Sequence, residues 1–486
     1  MSSKTPFFKA FGPLLFGRPA RRTMQKLRRL NSLQELCEIF GHLLPEGLLA
    51  TTEKGLNSRD RLFSTQVTFW AFAAQILSPG TACREIVRRV EAWWQESAGA
   101  GPAPSASTSA YCQARARLEP AALELIRAET AWNLERNVLT AERWLGGRAV
   151  KIVDGTGISM PDTPENQARW PQSSGQQPGC GFPMMKLAGL FSLGSGAFLE
   201  SVSGNKHVHE STLFRGMWSK LQKGDILLAD RGFSSYAAIA GLQQQRGVDS
   251  VMRLHQMRKA DFRAGRRLGP EDRLVVWQKP QRTEAWSAEE FAALPETLTV
   301  RLIRLRVAAP GFRTRSVVLV TTLVAYPAGQ LRELYGRRWQ VELHFQQIKT
   351  HLAMDVLRCK SPQLIEREVL MHQIAYNLVR SLMQRSARLH RVPLSRVSFK
   401  GTLDTLRHWS VLIAAEPNPR KQAELIGQML ALIASDTVPE RPGRSEPRAK
   451  KRRGKNYQLL SKPRSETGSL PRRNRPKTKQ PKTSLT

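Results

Sequence analysis

The residues best placed to do chemistry lie in one segment, LRELYGRRWQVELHFQQIKTHL, residues 331–352, where Tyr335, Arg338, Glu342 and Lys349 recur as Y-x2-R-x3-E-x6-K. At ~100° per helical residue these four fall within about 60° of one another and form a single polar stripe. Leu334, Val341, Phe345, Ile348 and Leu352 form the adjoining apolar stripe, which must pack on something. The polar stripe therefore runs along the boundary between core and cleft. One acid flanked by two cations and a phenol suits a site that meets phosphates and metal. The Arg338 fork can grip a phosphate, Lys349 gives a point charge, and Tyr335 gives a hydroxyl and a stacking face. The competing reading is a solvated helix face with an incidental i, i+4 Glu–Arg pair. Two further carboxylates stand out. Asp154 follows the short apolar run AVKIV, and Asp230 follows DILLA. Each is predicted to sit just past the end of a strand, and strand ends gather at one rim of an α/β sheet. Two such carboxylates on neighbouring strands would repel and resist ionisation, which a divalent cation relieves. Asp154-Gly155 is equally a common turn dipeptide, so two strand-end aspartates alone are weak evidence.

The elements that must position these side chains follow from the hydrophobic periods. Residues 31–140 read as helical: Ser32 and Glu35 form a possible capping box, Thr65–Leu77 is apolar nearly all round, and 84–94 is amphipathic with Arg84, Arg88 and Arg89 on its polar side. From about 148 the order becomes mixed α/β: strand 149–153, hairpin 185–193 and 197–203 across Gly194-Ser195-Gly196, helix 211–221, strand 225–229, helix 236–245, strand 250–254. Residues 255–325 break that rhythm with RLVVWQKP, LTVRLIRLRV and SVVLVTTLV, a β-rich insertion with basic connectors. Residues 329–352 read as one long helix, and 362–388 and 401–434 as further helices.

The chain has 486 residues, enough for about three domains. Lys plus Arg number 75 against 40 Asp plus Glu, a formal net charge of +35. Such an excess is foreign to an enzyme of neutral metabolites and points to a polyanion. Residues 441–486 carry sixteen Lys/Arg and two Asp/Glu, so the body keeps +21 of its own. The composition of that tail predicts disorder, with sequence-independent phosphate contact or simple solubilisation as its use. Cys37, Cys83, Cys112, Cys180 and Cys359 are scattered, with no C-x-x-C pair, which excludes a zinc knuckle and a disulfide framework. No apolar run reaches the ~18 residues of a membrane span, and the apolar stretch at 11–16 is too short for a signal core. A cytoplasmic, nucleoid-associated location is expected, and no membrane partner.

With Asp154 in VKIVDGTGI, Asp230 in LLADRGFSSY and Glu342 inside the complete stripe, the chain resembles bacterial insertion-sequence DDE transposases of the group marked by the YREK signature. The resemblance covers roughly residues 20–440. It implies a ribonuclease H-like mixed-sheet core, interrupted by a β-rich insertion between Asp230 and Glu342. The implied division is a helical DNA-binding domain at 1–145, core at 146–254, insertion at 255–325, helical second part of the core at 326–400, C-terminal helices at 401–440 and a basic tail. It implies two Mg²⁺ ions, for which Mn²⁺ would substitute, shared by Asp154, Asp230 and Glu342, with Tyr335, Arg338 and Lys349 on DNA phosphates. The implied partners are the double-stranded DNA of element ends and target, and further copies of the chain in a homodimer or higher oligomer. The implied activity is Mg-dependent cleavage at the ends and transfer of the freed 3′-OH to target. A transposase-derived DNA-binding protein that no longer cuts, and a ribonuclease H-like nuclease without strand transfer, are the alternatives. Family members that form DNA hairpins stack a flipped base on an aromatic of the insertion; Trp277 and Trp286 are candidates here, or else core residues. His207 and His209 suggest a metal pair at i, i+2, but with Glu210 they precede a predicted helix, where capping or support of the site fits better. Arg231 either orients Asp230, touches DNA or forms a structural ion pair. Asn377, in AYNLVR, resembles a position the group often keeps, without assigned chemistry.

Overall fold

The computed structural model describes residues 40, 48–49, 62–98, 107–283, 285–306, 316–416, 418–440, 460–463 and 466. The Ser32–Glu35 capping box, Cys37, the apolar stretch at 11–16 and nearly all of the basic tail lie outside the described residues. Among the described residues four helices come first: α1 Thr65–Leu77, α2 Cys83–Ala98, α3 Thr108–Arg117 and α4 Pro120–Arg136. The α/β part runs β1 Val150–Ser159, α5 Pro164–Arg169, β2 Met184–Ser192, β3 Phe198–Gly204, α6 Glu210–Arg215, β4 Ile226–Ala229, α7 Tyr236–Gly241 and β5 Asp249–Arg253. The insertion gives β6 Arg266–Gly269, β7 Asp272–Gln278, α8 Ala288–Ala292, β8 Thr297–Arg306 and β9 Ser316–Thr321. Last come α9 Ala328–Gly336, α10 Gln340–Gln346, α11 Pro362–Leu389, α12 Phe399–Ala415 and α13 Pro419–Ser435.

All nine strands join one sheet in the order β3-β2-β1-β4-β5-β9-β8-β7-β6. β1, β4 and β5 are parallel; every other pairing is antiparallel. The insertion is therefore not a separate β-body. Its strand β9 pairs with β5 through Val251–Thr321 to Arg253–Leu319 and carries the sheet outward. Within it the buried Arg301 guanidinium grips Asp272 with two bonds of 2.8 and 2.5 Å.

Strand alternation sorts the side chains into two cores. Ile152, Phe191, Leu228 and Val251 face one side with Val341, Phe345 and Ile348; Val153, Leu190, Leu227, Ala229 and Met252 face the other with Leu213 and Phe214 of α6. The α10 stripe is thus buried against the sheet as its spacing predicts, each large apolar side chain contributing roughly 1.5–3 kcal/mol. α1 and α4 pack on α11, and α4 also touches β3. α1, whose first turn is capped by Ser64 onto the Val67 N–H, is buried from Val67 to Leu77, as expected of a helix apolar all round.

Several expectations need correction. Asp154 is not past the end of its strand: β1 runs on to Ser159, because β2 pairs with it along its whole length, Asp154 opposite Gly189. The 329–352 helix is subdivided, with a tight 3₁₀ turn at Arg337–Trp339 and a widened π turn at Gln347–His351. The helix expected at 211–221 stops at Arg215, at Gly216, and resumes as the 3₁₀ turn Trp218–Lys220. The 401–434 helix is two helices, broken at Pro419, which starts the second.

Candidate active site

β1 and β4 are parallel, with Val150 beside Ile226 and Ile152 beside Leu228. The pairing ends two residues short of Asp154 and Asp230, whose carboxyls are near enough for Asp230 to push the Asp154 pKa up. Ile152 and Leu228 point to the α10 side, so the period of two aims both aspartates there as well. Asp230 follows the last residue of β4 and caps the 3₁₀ turn Arg231–Phe233. Asp154 thus lies within β1, and Asp230 just past the end of the neighbouring β4.

The α9–α10 segment lies over this point. Arg338 bridges the acids: Nη1 is 3.6 Å from Asp154 Oδ2 and Nη2 donates to Glu342 Oε1 at 3.1 Å. Burial opposes the Arg338 charge, but Tyr335, Asp154 and Asp230 together raise its pKa. Burial also pushes the Asp154 carboxyl up, to about 6. The Gly155 N–H, which donates to Asp154 Oδ1 at 2.8 Å, and Arg338 pull it down; Glu210 and Asp230 push it further up. The Tyr335 phenol is raised to about 12, by burial first, so it stays a neutral hydroxyl near neutral pH.

Lys349 sits lower on the same side, where its ammonium donates to Thr156 Oγ1 at 3.1 Å and to the Gly157 carbonyl at 3.0 Å. It is a strap from the π turn to the strand that carries Asp154, two residues along on the same face. The structure brings Asp154, Asp230, Glu342, Tyr335, Arg338 and Lys349 to one end of the sheet. Among the described residues no three His, Cys, Asp or Glu side chains form a ready metal cage. The Arg338 guanidinium stands among the acids instead. An unusually high Asp154 pKa and a resident cation across two carboxylates are the marks of anions that a hard divalent ion would suit, completed by substrate phosphates rather than by protein alone.

The other candidates fare differently. Trp277 and Trp286 are 8% and 5% exposed and belong to the core. Arg258 covers the Trp277 ring at 4.0 Å, while Trp286 lies between Arg215 and Trp218. Burial and these neighbours make both rings part of the core. His207 is exposed, and His209 is the N-cap of α6 without a side-chain capping bond. Arg231 donates to Gln256 at 2.8 Å. Asn377 is fully buried and clamps β3: its Oδ1 accepts from the Phe198 N–H at 2.9 Å and its Nδ2 donates to the Phe198 carbonyl at 3.1 Å.

Two features escaped the sequence reading. A cavity of about 410 Å³ opens at Arg231, which follows Asp230, and is lined also by Arg253, His255, Gln256, Arg258 and Arg304. Its cations come from β4–β5 connections and from the insertion, so only the joining of β9 to β5 gathers them. The other is Glu210, whose carboxyl lies against Gly155. The only sequence signal for it was its place behind the His207–His209 pair.

The site thus holds Asp154, Asp230 and Glu342 with Arg338 contacting two of these acids, and a cavity lined by arginines adjoins Arg231. Residues 145–378, a stretch holding all six side chains, match the family model described as Transposase DDE domain. The chain is 25% identical over 448 residues to "Transposase InsG for insertion sequence element IS4" of Escherichia coli (strain K12), covering 91% of this chain and 98% of that relative. It is 36% identical over 72 residues to "Putative transposase InsL for insertion sequence element IS186A" of the same organism, 14% of this chain and 20% of that relative. Over these spans the chain is similar to insertion-sequence DDE transposases.

Proposed function

We propose that the chain binds the duplex ends of its insertion element, hydrolyses the phosphodiester at each boundary, and joins the freed 3′-OH to target DNA. The observation that supports this reading is the Arg338 contact with both Asp154 and Glu342, together with the parallel β1–β4 pairing that ends two residues short of Asp154 and Asp230. The inner strand order, with β1 between antiparallel β2 and parallel β4, supports a ribonuclease H-like core.

Asp154, Asp230 and Glu342 would hold two Mg²⁺ ions. When bound, these supply charge stabilisation for the attacking and leaving oxygens of an in-line displacement. The chain's own residues position and neutralise. Arg338 has its fork among the acids and would turn it to a non-bridging phosphate oxygen. Tyr335 keeps its proton and donates it as a hydrogen bond. Lys349 holds Thr156 and Gly157, and with them the height of Asp154, while adding positive charge for the strand. In the first reaction a water oxygen attacks phosphorus and the bond to the 3′ oxygen breaks, leaving a 3′-OH and a 5′-phosphate. In the second, that 3′-OH gives up its proton and attacks a target phosphorus, displacing the target's own 3′ oxygen. Both ends need a site, so two copies of the chain act together. The helices within 62–136, with Arg84 and Arg88 exposed, serve as the candidate end-binding unit.

The test is cleavage of a labelled duplex holding the element end and flank, with Mg²⁺ or with EDTA. A Mg²⁺-dependent nick at the boundary, lost in Glu342→Ala while end binding persists, is expected. Tight binding without a nick, even with both ends supplied, would overturn it in favour of a silent DNA-binding protein.

A further inference from the structure

Cys83, Cys112 and Cys359, far apart in the sequence, converge where the first helices meet α11. Cys83 opens α2, Cys112 lies in α3, and Cys359 stands just ahead of α11. All are free thiols; Cys83 and Cys112 are half-buried and Cys359 is buried. α2 and α3 pack on one another, and the thiols of Cys83 and Cys112 are hydrogen-bond partners. Gln75 of α1 braces the pair. Its Nε2 lies 3.7 Å from Cys83 Sγ and donates to the Thr81 carbonyl at 3.1 Å. Its Oε1 accepts from the hydroxyl of Tyr111, the neighbour of Cys112, at 2.9 Å.

A guanidinium completes the cluster. Arg115 is 6% exposed and lies over the rings of Phe72 and Tyr111 at 4.9 and 5.0 Å. Its Nη2 donates to Cys112 Sγ at 3.7 Å, and its Nε has no hydrogen-bond partner among the described residues. Nor, among those residues, does a carboxylate form an ion pair with it. Glu368 uses its oxygens on the Arg358 and Cys359 N–H groups instead. A buried cation without a partner anion is costly. Burial opposes the Arg115 charge, and Tyr111, Cys359, Cys83 and Cys112 more than offset it. The hydrogen bond with Cys112 pulls the Cys83 thiol down to about 5, helped by Arg115 and Gln75 and opposed by burial and Glu368. The same bond, with burial, pushes the Cys112 thiol up. One sulfur is thus the anion and the other keeps the proton, beside a cation and partly open to solvent. Those are the conditions for a reactive thiol. A cysteine that only fills space needs none of them.

We infer that Cys83 and Cys112 form a reversible modification site, which hydrogen peroxide closes to a disulfide that staples α2 to α3. The Cys83 thiolate attacks one peroxide oxygen and the O–O bond breaks. That leaves a sulfenic acid on Cys83 and a hydroxide ion. The Cys112 sulfur then attacks the Cys83 sulfur, and its proton leaves with the sulfenic oxygen as water. The two sulfurs lose two electrons and the peroxide gains them; a thiol reductant reverses the change. Neither cysteine lies at Asp154, Asp230 or Glu342, so this chemistry stands apart from theirs.

The test treats the full chain with equimolar hydrogen peroxide at pH 7, blocks the remaining thiols and maps the peptides by mass spectrometry. A Cys83–Cys112 disulfide is expected, removed by dithiothreitol, with Cys180 still a thiol. Before oxidation, iodoacetamide at pH 6 should label Cys83 at least roughly tenfold faster than Cys180. Cys112→Ser should stop at the sulfenic acid, which dimedone traps on Cys83, and Cys83→Ser should leave Cys112 a thiol. On the wild-type chain, where no variant has to fold, three results overturn the inference: no disulfide, a disulfide that joins Cys83 to Cys359 instead, or labelling of Cys83 no faster than of Cys180.

Discussion

Replacing Asp154 by Asn should abolish cleavage and, in the absence of metal, make the protein more stable. The Asp154 carboxyl is carried from its ordinary 3.8 to about 6, first by burial and then by Glu210 and Asp230. That shift corresponds to about 3 kcal/mol against the ionised form. The side chain is 23% exposed, so solvent screening trims this to about 2–3 kcal/mol. An asparagine carries no charge to bury, and Arg338 keeps Glu342 as its partner. For a folded body of roughly 400 residues the unfolding entropy is about 0.8 kcal/mol per degree, so Tm should rise about 3 °C. The pH dependence has a definite sign. A carboxyl with a raised folded-state pKa destabilises the fold fully above pH 6 and progressively less as pH falls toward 3.8. The gain from Asp154→Asn should therefore be complete at pH 7.5 in EDTA and shrink through that window. Adding Mg²⁺ to the end-DNA complex should raise the wild-type Tm further and leave the variant's unchanged. Differential scanning calorimetry across pH 4–8 reads all of this. A variant no more stable than wild type in EDTA, or a gain independent of pH, would refute the account of Asp154 as a strained anion.

Lys349→Met removes the bonds to Thr156 and Gly157 and should cost about 1–2 kcal/mol in a urea melt, with cleavage lost and gel-shift affinity for end DNA largely kept. Asn377→Leu leaves the buried N–H and carbonyl of Phe198 without that partner and should cost about 3 kcal/mol by the same measurement. Trp286→Ala should cost about 3–5 kcal/mol, because the ring fills the space between Trp218 and Arg215; a variant that melts like wild type yet changes the cleavage products would assign Trp286 to DNA instead.

What the sequence conveyed depended on the range of the physics involved. The stripe of Tyr335, Arg338, Glu342 and Lys349 was legible because helical spacing is local. Even there the 3₁₀ and π turns at 337–339 and 347–351 were not, since both answer to the sheet underneath. Asp154 was found but misplaced: apolar residues end at Val153, while the strand continues because β2 supplies hydrogen bonds to residue 159, and pairing partners leave no mark on one strand's own pattern. The insertion was recognised as β-rich, but its fusion to β5 is a non-local pairing, and with it the basic cavity at Arg231 stayed hidden. Trp277 and Trp286 illustrate the reverse: aromatic type suggested a base-stacking role, and burial removed it. Asn377 carried no readable chemistry because its partners, Phe198 and Thr130, lie 179 and 247 residues away.

The position of Arg338 explains how one set of side chains can serve two states. In the free protein acids converge here: Asp154 and Asp230 on and just past neighbouring strands, and Glu342 from α10. Left alone they would force one another to take up protons or spread apart. A guanidinium is suited to lie among them, because it cannot lose its proton and its planar fork can address two carboxylates at once. It reaches Asp154 at 3.6 Å and Glu342 at 3.1 Å, longer than tight bidentate pairs of about 2.7–2.9 Å, and so binds both loosely. Divalent ions would replace that neutralisation and leave the fork free just as a phosphate arrives. Lys349, tied to Thr156 and Gly157, stands outside this exchange. The stripe thus divides its labour by geometry: one cation able to change partners at the acids, and one fixed to the strand that carries them.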